Sequence, residues 1–356
     1  MTISNNRRKT LISGIQPSGQ VHLGNWVGAL KNWVRLQDDP NYECSIFVAD
    51  YHSLSGDYDP QDKRRQVLEI MTELLAAGLD PEKCTLFRQS DIPEHTELCW
   101  IFNTLTPLSF LERMTQFKDK SGQQDRNVNM GLLDYPVLQA ADILIHHGEA
   151  VPVGRDQVQH VELTRDVARF YNRKYGVDYF PEPEPYLTDT PKLRSLTDPL
   201  KKMSKSLGEK SYIALSDEPD VILKKIKGAV SETEGRLTLT EAELDELLTK
   251  PLEERGLDEE TLRGQAGVWN LIGLLRLFGH EGEAQRFVDS QPIRYGELKP
   301  LLAERIAERF ADFRERKREL EAYPDRVLKI FAAGAERARE TARKTMEEVR
   351  RTIGIR

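Results

Sequence analysis

The stretch Gly14–Leu30, GIQPSGQVHLGNWVGAL, constrains the fold more than any other part of this chain. An apolar run, Thr10–Ile15, leads into it. Trp26, Leu30 and Trp33 leave it at helical spacing. Between them Gly14, Pro17, Gly19 and Gly24 end the run and turn the chain. A strand that turns tightly into a helix opens a strand–helix–strand unit, and here the pattern repeats. Cys44–Asp50 and Cys84–Ile92 read as strands, while Val67, Ile70, Met71, Leu74 and Leu75 recur at helical spacing up to Gly78. Such alternation predicts an α/β fold with a parallel sheet and right-handed crossovers. Sheets of this kind bind ligands beyond the carboxyl ends of their strands. Gly14–Leu30 lies at the first such end.

Further along, Pro136 is expected to open a helix that Gly148 closes. Val151–Gly154 reads as a strand and Gln157–Gly176 as a helix ending at its glycine. The proline-rich connector Phe180–Pro191 is expected to hold no regular structure. From Glu218 the pattern is helical, acidic to about Leu262 and basic at the end. The 356 residues exceed what one compact domain usually holds, and a boundary near Ser216 is expected.

The basic start, MTISNNRRKT, has only Leu11 and Ile12 before Ser13, which is too little for a signal peptide, and no apolar run reaches membrane-spanning length. Cys44, Cys84 and Cys99 lack CxxC spacing and read as buried, reduced thiols. A cytoplasmic protein without structural zinc or a membrane anchor is expected. The net charge of −7 argues against a general polyanion binder but leaves room for a local basic surface. Asp325–Arg356 carries nine Lys/Arg against five Asp/Glu, which composition alone reads as a solvated helix face.

Gly14 and Gly19 are spaced like a P-loop, but Gln20-Val21 stand where Lys-Ser/Thr would follow, and there is no GxGxxG. What remains is His22-Leu23-Gly24-Asn25 at a helix start, where unpaired N–H groups suit phosphate. His22 adds a donor, and Gly24 would let a ring or ribose lie on the backbone. The glycines alone fit an ordinary strand–helix turn equally well. A second segment breaks the tie. Lys201–Ser206, KKMSKS, alone is a charge run. Paired with an early HxGN it supplies mobile ammonium groups able to close on a triphosphate.

Pro17–Asn25 and Lys202–Ser206 together resemble the HIGH and KMSKS signatures of class I aminoacyl-tRNA synthetases. Ser13–Gly19, Glu112–Ser121, Tyr135–Leu144 and Val151–Asp166 are similar to bacterial tryptophanyl-tRNA synthetases, and the likeness extends to Gly267–Ile272 and the closing helix. The resemblance implies a Rossmann-like parallel-sheet catalytic domain over 1–215 and an all-helical domain over 216–356 that meets the tRNA anticodon region. It implies activation of tryptophan by ATP, with Mg2+ carried on the nucleotide, then transfer to the terminal ribose of tRNA(Trp). It also implies a homodimer. Some members hold an iron–sulfur cluster near the anticodon region. With all three cysteines before residue 100, none is expected here.

Carried over by motif, Gln16, Pro17 and Ser18 would line the ATP site, with His22, Gly24 and Asn25 on adenosine and phosphates. Gly154, Arg155 and Asp156 would lie beside the ribose and Leu193 beside the adenine. In KMSKS, Lys202 and Lys205 would grip phosphates, helped by Lys120, with Met203, Ser204 and Ser206 shaping the loop. Asp142 would read the indole N–H, the one side-chain donor tryptophan offers. A carboxylate among the alanines and aliphatics of AADIL is costly to bury without a partner. Either the indole N–H or a neighbouring residue could serve. Tyr135, Gln139, Val151, Val153 and Ile12 would wall the ring, and His52 and Gln157 would meet the polar end.

Three departures stand out. Leu207-Gly208-Glu209 replace a common Asp-Pro after KMSKS, Gln139 stands where many members have Met, and Ile12 where some have Phe. Alternatives are a tyrosyl-tRNA synthetase, a non-enzymatic paralogue that binds tRNA or a protein, and a small nucleotidylyltransferase. The helical second half exceeds the needs of the last.

Overall fold

The computed structural model describes residues 7–115, 128–187, 191–251 and 254–355. Five strands, β1 (Lys9–Ile15), β2 (Tyr42–Val48), β3 (Cys84–Arg88), β4 (Ala150–Val153) and β5 (Glu184–Leu187), form one parallel sheet in the order β3-β2-β1-β4-β5. β1 is central, with Leu11 and Ile12 fully buried, and Leu11 pairs with Cys44 on one side and Ala150 on the other. The chain builds outward through β2 and β3, then resumes beside β1 with β4. The sheet therefore has its topological switch point between β1 and β4, where α/β folds place their ligands.

β5 corrects one expectation. The proline-rich connector does contain a strand, and the reason is its position at the sheet edge. Glu184 N–H donates to the Glu149 carbonyl at 2.9 Å. The next residue, Pro185, therefore turns its nitrogen toward the open edge, where no ladder bond is lost.

The helix expected from Pro136 begins earlier and spans Met130–Leu144. Asn129 caps it, its Oδ1 accepting from Leu132 N–H at 3.1 Å. Pro136 is interior and buried, so it removes one helical donor instead of starting the helix. Pro60–Ala76 and Val158–Tyr175 follow their sequence patterns, the latter closing on Gly176 with φ 67°. The turn after Gly14–Gly19 runs into Leu23–Asn25, then a π-helical turn Trp26–Leu30, then Lys31–Leu36. Cys44, Cys84 and Cys99 are free and buried.

The chain divides into two compact units that do not follow a cut at residue 216. The described residues of the first fall within 1–20, 28–189 and 317–356, and those of the second within 21–27 and 190–316. The closing helix, Pro324–Ile353, thus belongs with the sheet. It packs on β3 through Gly334, where any β-carbon would fall on the Leu86 carbonyl oxygen. Arg339 pairs with Glu94 at 3.1 Å, Arg350 with Glu97, and Thr345 Oγ1 donates to the Ile145 carbonyl at 2.8 Å. Much of the basic end is therefore structural pairing. The second unit is helical from Pro219, with Leu262, Leu271, Ile272, Leu298, Leu302 and Ile306 fully buried. No helix among the described residues is long and apolar enough to cross a membrane.

Candidate active site

A cavity of about 300 Å3 opens in the first unit at the switch point between β1 and β4. Its wall includes all eight side chains assigned above to the amino acid: Ile12 on β1, His52, Tyr135, Gln139 and Asp142 on or beside the Met130–Leu144 helix, Val151 and Val153 on β4, and Gln157. Gln139 and Asp142, three residues apart, share one helix face. Gln16 and Gly154 also reach this wall. Pro17 is buried in the turn and Ser18 is exposed beside it, while Arg155 is exposed in the 3-10 turn Arg155–Gln157 that also contains Asp156. Sequence reasoning missed Phe47 and Ala49, although the rule about carboxyl strand ends points to the end of β2. It also missed Gly28, Ala29 and Trp33, which bring the helix after the first turn to the same cavity.

Asp142 is fully buried. His52 Nε2 lies 2.8 Å from its Oδ2, His95 Nδ1 lies 2.6 Å from Oδ1, and Gln89 Nε2 donates to both oxygens at 2.8 and 2.9 Å. Burial alone would push this carboxyl up. The hydrogen bonds from His52 and His95, with their charges, outweigh it and hold the group at about 2. Of the two partners left open by the sequence, neighbouring residues are thus present. An ionised carboxylate only accepts, so His52 must carry its proton on Nε2 and His95 on Nδ1. Tyr135 Oη pairs with His160 Nε2 at 2.9 Å, and burial pushes its phenol up to about 12.

The second unit holds the HxGN turn, from Val21 onward, and the KMSKS segment. Leu23 N–H donates to the Ile213 carbonyl at 3.0 Å and Leu215 N–H to the Val21 carbonyl at 2.9 Å. The HxGN turn is thereby stitched to the strand-like stretch that leaves KMSKS. His22 caps its helix: Gly24 N–H donates to Nδ1 at 3.0 Å, and Asn25 Oδ1 accepts from His22 N–H at 3.1 Å. With Nδ1 occupied as an acceptor, the remaining N–H of a neutral His22 is at Nε2. Burial, then the charges of Lys205 and Lys202, lower the His22 pKa to about 4, so the ring is neutral at pH 7. A β-carbon at Gly24 would sit 2.7 Å from His22 Cε1, so a larger residue there would displace the capping ring.

KMSKS is held at its base. Met203 N–H donates to the Leu193 carbonyl and Ser195 N–H to the Lys201 carbonyl, each at 2.9 Å, and Leu193 and Met203 are both buried. Lys201 is paired with Asp198 at 3.0 Å, whereas Lys202 is exposed. Ser204 caps the short turn Lys205–Leu207, with its Oγ 3.3 Å from Ser206 N and 2.9 Å from Ser206 Oγ. Gly208 ends that turn at φ 92°, a conformation that favours glycine. Lys120 lies outside the described residues. Among the described residues no group of three or more His, Cys, Asp or Glu is arranged to hold a metal ion.

Residues 4–311 match the profile of the tRNA synthetases class I (W and Y). The tryptophan–tRNA ligase of Rickettsia conorii is 40% identical over 350 residues, covering 98% of this chain and 99% of that protein. That of Caulobacter vibrioides is 41% identical over 348 residues, covering 97% and 95%. Among solved structures, the Campylobacter jejuni tryptophanyl-tRNA synthetase complexed with ADP and tryptophan is similar at a TM-score of 0.78 and 30% identity, covering 97% of this chain and 99% of that one. These relatives do not favour the tyrosyl or non-enzymatic alternatives. A parallel sheet with a walled cavity at its switch point, a histidine-capped HxGN turn and a KMSKS loop stitched to it agree with them: the chain belongs to the class I tRNA synthetases of the W and Y group, and within it to the bacterial tryptophan–tRNA ligases.

Proposed function

We propose that the first unit's cavity holds tryptophan, that Asp142 accepts its indole N–H, and that the second unit's His22, Lys202 and Lys205 act on ATP. The observation that carries this reading is a fully buried carboxylate, held by His52, His95 and Gln89, in the wall of the cavity at the switch point. A site built to satisfy a ring N–H rejects a ring that lacks it. Tyr135, Val151, Val153 and Ile12 enclose the ring, Gln139 adds a polar wall, and His52 and Gln157 meet the ammonium and carboxylate end.

In the first step a tryptophan carboxylate oxygen attacks the α-phosphorus. The bond to the β-phosphate oxygen breaks, and pyrophosphate leaves with the electron pair. Gln16, Pro17, Ser18, Gly154, Arg155 and Asp156 are assigned to the nucleotide, as are Gly24, Asn25, Leu193, Met203, Ser204 and Ser206. His22 donates from Nε2, while Lys202 and Lys205, with Lys120, neutralise charge that grows on the departing pyrophosphate. Mg2+ enters as part of the ATP substrate. In the second step a hydroxyl of the tRNA terminal ribose attacks the tryptophanyl carbonyl, and AMP leaves.

Amino-acid-dependent ATP–pyrophosphate exchange tests the reading, with the twenty amino acids supplied singly. Exchange with tryptophan alone is expected. Exchange with tyrosine would overturn the role of Asp142, and no exchange from folded protein would overturn the whole assignment.

tRNA(Trp) is the second substrate, and the work is done in the cytoplasm. Helices from Pro219 onward take the anticodon region, where unstacked loop bases can be read by side chains. Arg339 and Arg350 are engaged by Glu94 and Glu97, so phosphate contacts on the closing helix fall to exposed residues such as Arg326 and Lys329. The protein acts as a homodimer. Trp100 and Leu108 are exposed on helices that pack against Met130–Leu144, Met130 is exposed at the start of that helix, and large exposed apolar side chains suit an interface. Trp100→Asp is expected to give a monomer by sedimentation velocity. A dimer that survives the change would assign the interface elsewhere.

A further inference from the structure

Resting on the reading of Asp142 as acceptor of the indole N–H, we propose that Gln89 and His95 are positioning residues that set the enzyme's specificity. Neither is among the residues lining the cavity, and both are fully buried. Each reaches Asp142 from behind, from a different element. Gln89 begins the 3-10 turn Gln89–Asp91 at the end of β3, and His95 lies in the helix Glu94–Asn103.

Gln89 acts as a cross-brace. Its Nε2 donates to both oxygens of Asp142 at 2.8 and 2.9 Å. Its Oε1 accepts from the backbone N–H of Tyr51 at 3.1 Å and of His52 at 3.4 Å. One amide therefore fixes the carboxylate and the backbone that carries His52, the residue placed at the polar end of the substrate. The whole amide is used, so the side chain has one orientation. With Nε2 toward the carboxylate and Oε1 toward two N–H groups, the flipped amide would set oxygen against oxygen.

His95 fixes the other side. Nδ1 sits 2.6 Å from Asp142 Oδ1, and Nε2 sits 3.0 Å from Nε2 of His146. His146 is buried and held neutral, chiefly by burial and then by its neighbour His95. A neutral His146 either accepts the Nε2 proton of His95 or donates its own, and in both arrangements the Nδ1–H of His95 points at Asp142. The contacts on Oδ1 and Oδ2 thus hold the Asp142 carboxylate in one orientation, fixed in large part by two residues that do not line the cavity. Hydrogen bonds behind a recognition group commonly govern it in this way.

The test compares tryptophan with β-(3-benzothienyl)alanine, in which sulfur replaces the ring N–H with little change of shape. Wild-type protein is expected to prefer tryptophan strongly in kcat/KM for pyrophosphate exchange. Gln89→Leu, similar in volume but without the amide, is expected to shrink that preference roughly tenfold, through a higher KM for tryptophan with little change for the analogue. His95→Ala should do the same. His95→Asn should keep the preference, because its amide nitrogen stands where Nδ1 stood. Equal losses on both substrates in Gln89→Leu would make the role merely structural and overturn the inference, as would a preference that stays at the wild-type value. Should His95→Ala fail to fold, Gln89→Leu and His95→Asn carry the comparison. A wild-type protein that does not prefer tryptophan over the analogue would instead overturn the reading of Asp142 itself, so the two failures are distinguishable.

Discussion

Lys205→Ala is expected to slow tryptophan-dependent activation by roughly 10²–10³-fold, the usual loss when one donor to developing charge is removed. The affinity for tryptophan should stay within about twofold, because the contact is made to the leaving pyrophosphate. Lysine suits the task as a compact charge on a flexible stem, and the turn Lys205–Leu207 that carries it is braced by Ser204. Single-turnover kinetics checks the rate, and an unchanged rate removes Lys205 from the mechanism. A second readout sits beside it. The His22 pKa is lowered first by burial and next by Lys205, so the substitution should raise it from about 4 part of the way toward 6.5. Because the folded value lies below the unfolded one, the unfolded chain binds this proton first. The stability linked to His22 is complete above about pH 6.5 and is lost as pH falls toward 4. In Lys205→Ala that window narrows, which NMR titration of the His22 ring would show. A ring that still titrates at about 4 would mean that burial and Lys202 set it without Lys205.

The alternation of strands and helices was legible because each element carries its own period. The apolar runs at Thr10–Ile15, Cys44–Asp50, Cys84–Ile92 and Val151–Gly154 became β1 to β4. β5 was not legible, since proline content argues against a strand unless the strand is known to lie at an edge, and edge position is a property of the sheet. The place of the closing helix was hidden for a similar reason. Its arginines read as a solvated or tRNA-facing surface, but Glu94 and Glu97, which pair with Arg339 and Arg350, lie some 250 residues away. Gly334 held the better clue, since an exposed helix has no need of glycine at its middle. The ATP motifs were visible as motifs, yet the neutral state of His22 follows only once Gly24 N–H is seen on Nδ1. Asp142 was singled out by the family resemblance, and its apolar neighbours in sequence said only that its burial would need a partner. The residues that make its burial tolerable, Gln89 and His95, stand in other elements and belong to no motif.

Those partners change what Asp142→Ala is expected to do. The sequence alone suggests mainly a loss of discrimination between tryptophan and other amino acids. The structure adds a loss of about 3–5 kcal/mol in folding stability, the usual consequence of breaking a buried charged cluster from one side. His52 Nε2, His95 Nδ1 and Gln89 Nε2 would all face a space with no acceptor, and none of the three is exposed enough to turn to water. Urea unfolding at pH 7 measures this, and a loss below about 1 kcal/mol would mean that the three donors find other partners. The carboxyl's depressed pKa works in the same sense. Its contribution is complete above pH 3.8 and is lost as pH falls toward 2, so at pH 7 the full effect is read. A drop in tryptophan activity in Asp142→Ala would therefore mix two causes, a missing acceptor and a loosened pocket. Asp142→Asn separates them. It keeps the shape and one acceptor oxygen for His95, at a smaller stability loss, but turns an amide donor toward Nε2–H of His52 and removes the charge. If Asp142 reads the indole, Asp142→Asn should lose preference for tryptophan over its sulfur analogue while remaining folded. If the carboxylate serves only as a pillar, the preference should survive wherever the fold does.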